Sequence, residues 1–175
     1  MKKTTLFFIV VIIFVLAACS NSVENSEEIE PIFDIPQFSL ANQNFVKEKL
    51  GEPTSFEDIN YQTPSTGANN LLTYFYYDWD GYYSEFAFDD KDRLIRINIY
   101  PSDNKDSEFI KTTFEDLLKQ LGITPGENLT KVADTGSAWR YQRVSEGIDE
   151  VWALDELGEE EIGTIKISFD VRPFL

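Results

Sequence analysis

Two stretches decide the fold: Phe45-Val46-Lys47-Glu48-Lys49-Leu50-Gly51-Glu52-Pro53 and Phe114-Glu115-Asp116-Leu117-Leu118-Lys119-Gln120-Leu121-Gly122-Ile123-Thr124-Pro125. Each reads as a short helix stopped by glycine, with proline soon after. Glycine accepts the left-handed conformation that ends a helix, and proline prevents resumption. An aromatic strand follows each, Leu72 to Tyr77 and Ala138 to Val144. Phe86-Ala87-Phe88-Asp89 then matches Trp152-Ala153-Leu154-Asp155, and Ile95 to Ile99 matches Ile165 to Phe169. The order of matches is the same at an offset of about 65–71 residues, the mark of an internal repeat.

The expected fold class is therefore α+β: two tandem helix-plus-three-strand repeats, forming an antiparallel sheet with helices on one face. Repeat unit 1 is expected over 38–104 and unit 2 over 105–175. Alternation along the strands assigns Tyr74, Tyr76, Phe86, Phe88, Ile95, Ile97 and Ile99 to the covered face. Trp139, Tyr141, Trp152, Leu154, Ile165, Ile167 and Phe169 are their counterparts in unit 2. The other face is then open. On it fall Phe75, Tyr77, Arg96, Tyr100 and Arg140, the expected protein-binding residues, because Tyr and Arg are favoured at interfaces. The plainer alternative is that the preceding tether, a second helix or Val171 to Leu175 covers them.

The start of the chain carries an address. Lys2 and Lys3 precede an unbroken apolar run from Leu6 to Leu16, then Ala17, Ala18 and Cys19. This is the order of a secretory signal, residues 1–18. Leu16-Ala17-Ala18-Cys19 resembles the bacterial lipobox, in which the thiol is acylated before cleavage. Cys19, the lipidation site, is the one cysteine in the chain, so it has no partner for an internal disulfide. The expected location is the extracytoplasmic face of a cell membrane, held by lipid (diacylglycerol, palmitate). Residues 19–37 hold Glu24, Glu27, Glu28, Glu30, Asp34, Pro31 and Pro36 and read as an acidic, extended tether.

Composition narrows the chemistry. The 175 residues carry a formal charge of −16, more negative still without Lys2 and Lys3. Nucleic acid needs a positive footprint and is not an expected partner. With 14 Phe, 8 Tyr and 3 Trp there is ample material for a core. There is no histidine, which removes Ser-His-Asp and Cys-His activation and histidine metal sites. No cofactor or metal is expected. Paired carboxylates remain: Asp78 and Asp80 flank Trp79, with Asp89, Asp90 and Asp92 beyond. Such acids beside an aromatic suit a sugar-cleaving or sugar-binding site, but Asp and Gly are also ordinary residues of hairpin turns. Glu159-Glu160-Glu161 reads as a solvated turn.

The Leu-Gly-x-Pro helix end, the aromatic strand and the Phe-x-Phe-Asp … Ile-x-Ile hairpin, over roughly residues 38–170, are similar to the repeat of the β-lactamase inhibitor protein superfamily. They also resemble outer-membrane-assembly lipoproteins and two-repeat lipoproteins of low-GC Gram-positive bacteria. The resemblance implies a sheet face or loops that bind another protein, and no catalytic residues. The expected function is thus a non-catalytic interaction module of the cell envelope, with an envelope protein as partner. A carboxylate enzyme or carbohydrate binder acting on wall polymer is the alternative.

Overall fold

The computed structural model describes residues 29–101, 113–155 and 162–175. The signal, Cys19, the first ten residues of the tether, the boundary between the units and Glu159 to Glu161 lie outside them. Strands β1 (Ser55–Gln62), β2 (Asn69–Trp79), β3 (Tyr82–Phe88) and β4 (Leu94–Pro101) follow helix α1 (Gln43–Leu50). Strands β5 (Thr130–Asp134), β6 (Ala138–Ser145), β7 (Ile148–Asp155) and β8 (Ile162–Ser168) follow helix α2 (Phe114–Gln120). All eight strands form one antiparallel sheet, in the order β1-β2-β3-β4-β8-β7-β6-β5. The halves join where β4 pairs with β8, from Arg96↔Ser168 to Ile99↔Ile165.

This corrects the expected α+β class of helix-plus-three-strand repeats. The fold is mainly β, with four strands and one short helix in each half. The strands missing from the expectation are the two edges. Every residue of β1 is exposed or half-buried, as is every residue of β5. Neither shows the apolar alternation that marks a half-buried strand. They are held by their ladders to β2 and β6.

Both helices begin on a side-chain cap. Asn42 accepts from the Phe45 N–H and Thr113 from the Asp116 N–H, which satisfies donors the helix leaves open. The helices cover one sheet face. Under them a row of cross-strand neighbours runs Phe75, Phe86, Ile97, Ile167, Val151, Tyr141, all buried with Val46, Leu117, Leu118 and Leu121. Phe114 of α2 stacks flat on Tyr141 at 3.6 Å.

That row also corrects the assignment of faces. Phe75 and Tyr77, not Tyr74 and Tyr76, share the covered side with Phe86. Trp139 and Tyr141 share it with Val151 and Ala153, not with Trp152 and Leu154. The cause in the first half is turn parity. The β2–β3 hairpin closes on Asp80-Gly81, with φ of 52° and 82°, so Trp79 pairs with Tyr82. Positive φ at both central residues is the two-residue turn that suits strand twist, and it sets odd residues of β2 beside even residues of β3. In the second half Ser145 pairs with Ile148, but an irregularity around Arg143 (φ 54°) shifts the register, so Tyr141 meets Val151.

Two terminal segments are built into the domain. Ile32 and Phe33 donate to the Gln120 carbonyl at 2.8 and 3.1 Å, and Ile35 donates to that of Leu121 at 3.1 Å. Phe33, Ile35 and Phe38 are buried, so the last part of the stretch read as tether belongs to the core. Its apolar residues outweigh its prolines and acids. At the other end, Val171 to Leu175 crosses the sheet face opposite the helices. Thr63 donates to the Pro173 carbonyl at 2.8 Å, and Phe174 packs on Tyr61 at 5.3 Å and under the Arg96 guanidinium at 3.4 Å.

Candidate functional site: the sheet face opposite the helices

The face away from the helices is patterned by the same ladders. One row runs Tyr76, Glu85, Asn98, Lys166, Trp152, Arg140; the next runs Tyr74, Ala87, Arg96, Ser168, Glu150, Gln142. The C-terminal strap lies over the Arg96 side. Tyr74, Tyr76 and Tyr100 are half-buried and Tyr83 is exposed.

The five expected protein-binding residues do not come together. Phe75 and Tyr77 are buried on the helix-covered face. Tyr77 donates to the Gly51 carbonyl at 3.2 Å, and burial, then the charge of Glu52, push its phenol up to about 12. Arg96, Tyr100 and Arg140 do lie on the open face, but apart. Arg96 donates to Ser168 at 3.0 Å beneath the strap, where burial lowers its pKa. Tyr100 donates to Glu85 at 3.1 Å. Arg140 is ion-paired to Glu150 at 2.8 Å.

What the open face does assemble is a run of four tyrosine rings. Tyr74 stacks on Tyr76 at 6.4 Å and 18°, Tyr76 on Tyr83 at 6.0 Å and 12°, and Tyr83 meets Tyr100 at 5.7 Å and 39°. Tyr83 is 45% exposed. Two carboxylates sit among the rings. Tyr76 donates to Glu57, and Asn98 (2.8 Å) and Tyr100 donate to Glu85. Burial first, then the hydrogen bond to Glu57, hold the Tyr76 phenol well above its ordinary value. For Tyr100 burial and the Glu85 charge act the same way. Neither Glu57 nor Glu85 has a basic partner among the described residues. The Oδ1 of Asn98 is buried with no hydrogen-bond donor.

The second half of the face differs. Arg140 and Lys166 each lie 5.3 Å from the Trp152 ring. Glu150 is buried and held by Arg140 and by Gln142 at 3.0 Å. Tyr74, Tyr76, Tyr83, Glu57, Glu85, Asn98, Trp152 and Lys166 were not among the expected site residues. Asp80-Gly81 was the signal that places the tyrosines, through the register it imposes on β2 and β3.

The acids considered for catalysis shape turns. Asp78 accepts from the Gly81 N–H at 3.1 Å, and Asp92 from the Gln43 N–H at 3.1 Å. Asp89 accepts from the backbone of Lys91 and Arg93 and from the Arg93 side chain. Burial raises its pKa, but these bonds outweigh that and leave it lowered. Trp79 turns from these acids into the core, against Phe33 at 4.2 Å. A cleft of about 400 Å³ beside the strap is lined by Asp89, Arg93, Asp170 and Arg172, which pair with one another. The Arg172 hydrogen bond, opposed by burial, lowers the Asp170 carboxyl. Among the described residues no group of three or more acids places a metal, and no helix is long and apolar enough to cross a membrane.

No protein-family model and no curated protein matches the sequence. Among solved structures, a cysteine-rich secretory protein from Staphylococcus aureus subsp. aureus Mu50 superposes with a TM-score of 0.45 at 7% identity, over 86% of this chain and 51% of that one. The chain thus spans about half the length of that protein.

Proposed function

We propose that the chain is a lipid-anchored lipoprotein of the extracytoplasmic membrane face, and that its tyrosine-bearing sheet face binds an envelope protein without catalysing a reaction. The observation that carries this is the run Tyr74, Tyr76, Tyr83, Tyr100 on a sheet whose other face is sealed by both helices. Tyrosine gives large, rigid contact area at low entropic cost, with a polar tip for water or a partner. The lipobox-like Leu16-Ala17-Ala18-Cys19 after an apolar run supports the address.

A photo-cross-linker at Tyr83 in intact cells tests the binding. A discrete protein adduct is expected, lost when the probe moves to Val132 on the opposite edge strand. Cells that display the chain yet yield no adduct overturn the reading. Cys19→Ala tests the address: acyl labelling and membrane retention should both be lost.

A further inference from the structure

We infer that the tyrosine platform of the first half receives a cation, the lysine or arginine side chain of a partner polypeptide. This deepens the protein-binding reading and rests on it. Among the described residues, Glu57 and Glu85 accept only from neutral tyrosine and asparagine groups. The carboxamide of Asn98 must donate its N–H to Glu85, because a carboxylate only accepts. Its Oδ1 is therefore a true acceptor, and it lies buried with no donor, in a residue only 8% exposed. A buried acceptor without a partner is costly. Two carboxylates, an orphaned acceptor and electron-rich ring faces together call for a positive, donor-rich group.

The second half shows the same chemistry completed from within. There Arg140 and Lys166 lie over Trp152, and Arg140 neutralises Glu150. Lys166 is the cross-strand neighbour of Asn98, yet its ammonium lies over Trp152. Among the described residues, the first half thus has the anions and the aromatic surface, and no cation paired with Glu57 or Glu85. Charge argues against a second copy as the source, because a chain of net charge −16 repels itself and attracts a basic partner.

Titration of the full chain in detergent micelles with tetralysine, followed by the tyrosine ring resonances, tests this. Saturable, salt-sensitive shifts of Tyr74, Tyr76, Tyr83 and Tyr100 are expected. The Glu57→Gln/Glu85→Gln variant should bind about tenfold more weakly or worse, with an unchanged melting temperature. Should that pair unfold, Glu57→Gln alone, on the exposed edge strand, carries the same reading. A Glu52→Gln/Asp58→Asn control removes equal charge away from the platform and should leave binding within about twofold. Equal losses in both pairs, or rings that do not shift, overturn the proposal. So do ring shifts that follow protein concentration without tetralysine, which make a second copy the occupant. Cellular cross-links from Tyr83 that persist in the Glu57/Glu85 variant keep the protein-binding reading and overturn the cationic one. Absent cross-links in the native chain strike the reading alone.

Discussion

In the second half of the sheet, Trp152 lies between Arg140 and Lys166 and Glu150 has its own arginine. In the first half, four tyrosines surround Glu57 and Glu85, which among the described residues meet only neutral donors. Both halves share one topology and one sheet. The difference lies wholly in which residues the ladders bring to the open face. One half closes its charges internally; the other presents them. Two copies of one fold unit thus differ in how their open-face charges are met.

The largest expected effect tests whether the halves are one body. Ile97 and Ile167 are buried neighbours across the β4–β8 seam. Ile97→Ala should cost ~2–5 kcal/mol in urea unfolding, with one transition seen by both Trp79 and Trp152. Two separate transitions would break the comparison into independent domains.

The helix stops come next. Gly51 has φ 87° with open space around it, whereas a Cβ on Gly122, φ 67°, would meet the Phe33 carbonyl oxygen at 2.8 Å. Gly51→Ala should cost ~1–3 kcal/mol for the backbone alone, whose φ of 87° and ψ of −170° suit only glycine. Gly122→Ala should cost clearly more in the same melts, since backbone must also move. Equal losses would mean that the N-terminal segment gives way freely.

The open face itself is sharpened by two substitutions. Arg140→Ala removes the cation from buried Glu150 and should cost ~1–3 kcal/mol. Glu85→Gln, which strips no ion pair, should stay within ~0.5 kcal/mol. A Glu85→Gln loss as large as that of Arg140→Ala would erase the distinction between the halves.

The smallest effect concerns the strap. Asp89 and Asp170 have lowered pKa values in the folded chain. A lowered folded pKa adds stability above the unfolded value of about 4, and that stability is lost as pH falls through the folded value. The melting temperature should therefore fall on acidification below about pH 4, and Asp170→Asn should flatten that limb. A variant curve parallel to the native one would remove the cluster from the account.

The residues themselves explain what sequence reading reached. Glycines after Leu50 and Leu121 stop the helices by local backbone chemistry, so both helices were legible. Edge strands β1 and β5 were not, because an edge with two wet faces needs no apolar period. The tyrosine face was legible in principle: Asp80-Gly81 dictates that Trp79 meets Tyr82, and every partner along β2 and β3 follows down to Thr73↔Phe88. Reading similar residue types onto one side overrode that parity and exchanged Tyr74 and Tyr76 for Phe75 and Tyr77. The shift at Arg143 had no such signal. An arginine at φ 54° is held there by its surroundings, not by its own preference. Ile32, Phe33 and Ile35 were hidden by neighbouring acids and prolines, although their apolar bulk decides where they go.

The N-terminal segment also governs how the molecule bears load. A pull on the chain toward residue 30 falls first on the hydrogen bonds from Ile32, Phe33 and Ile35 to the end of α2. It falls next on Phe33, wedged against Trp79 and Tyr82. Those contacts belong to different halves, so tension is shared across the seam and drawn along the packed face. The outer strands are not in that line of force. A pull there thus engages α2 and the β2–β3 hairpin before any edge strand.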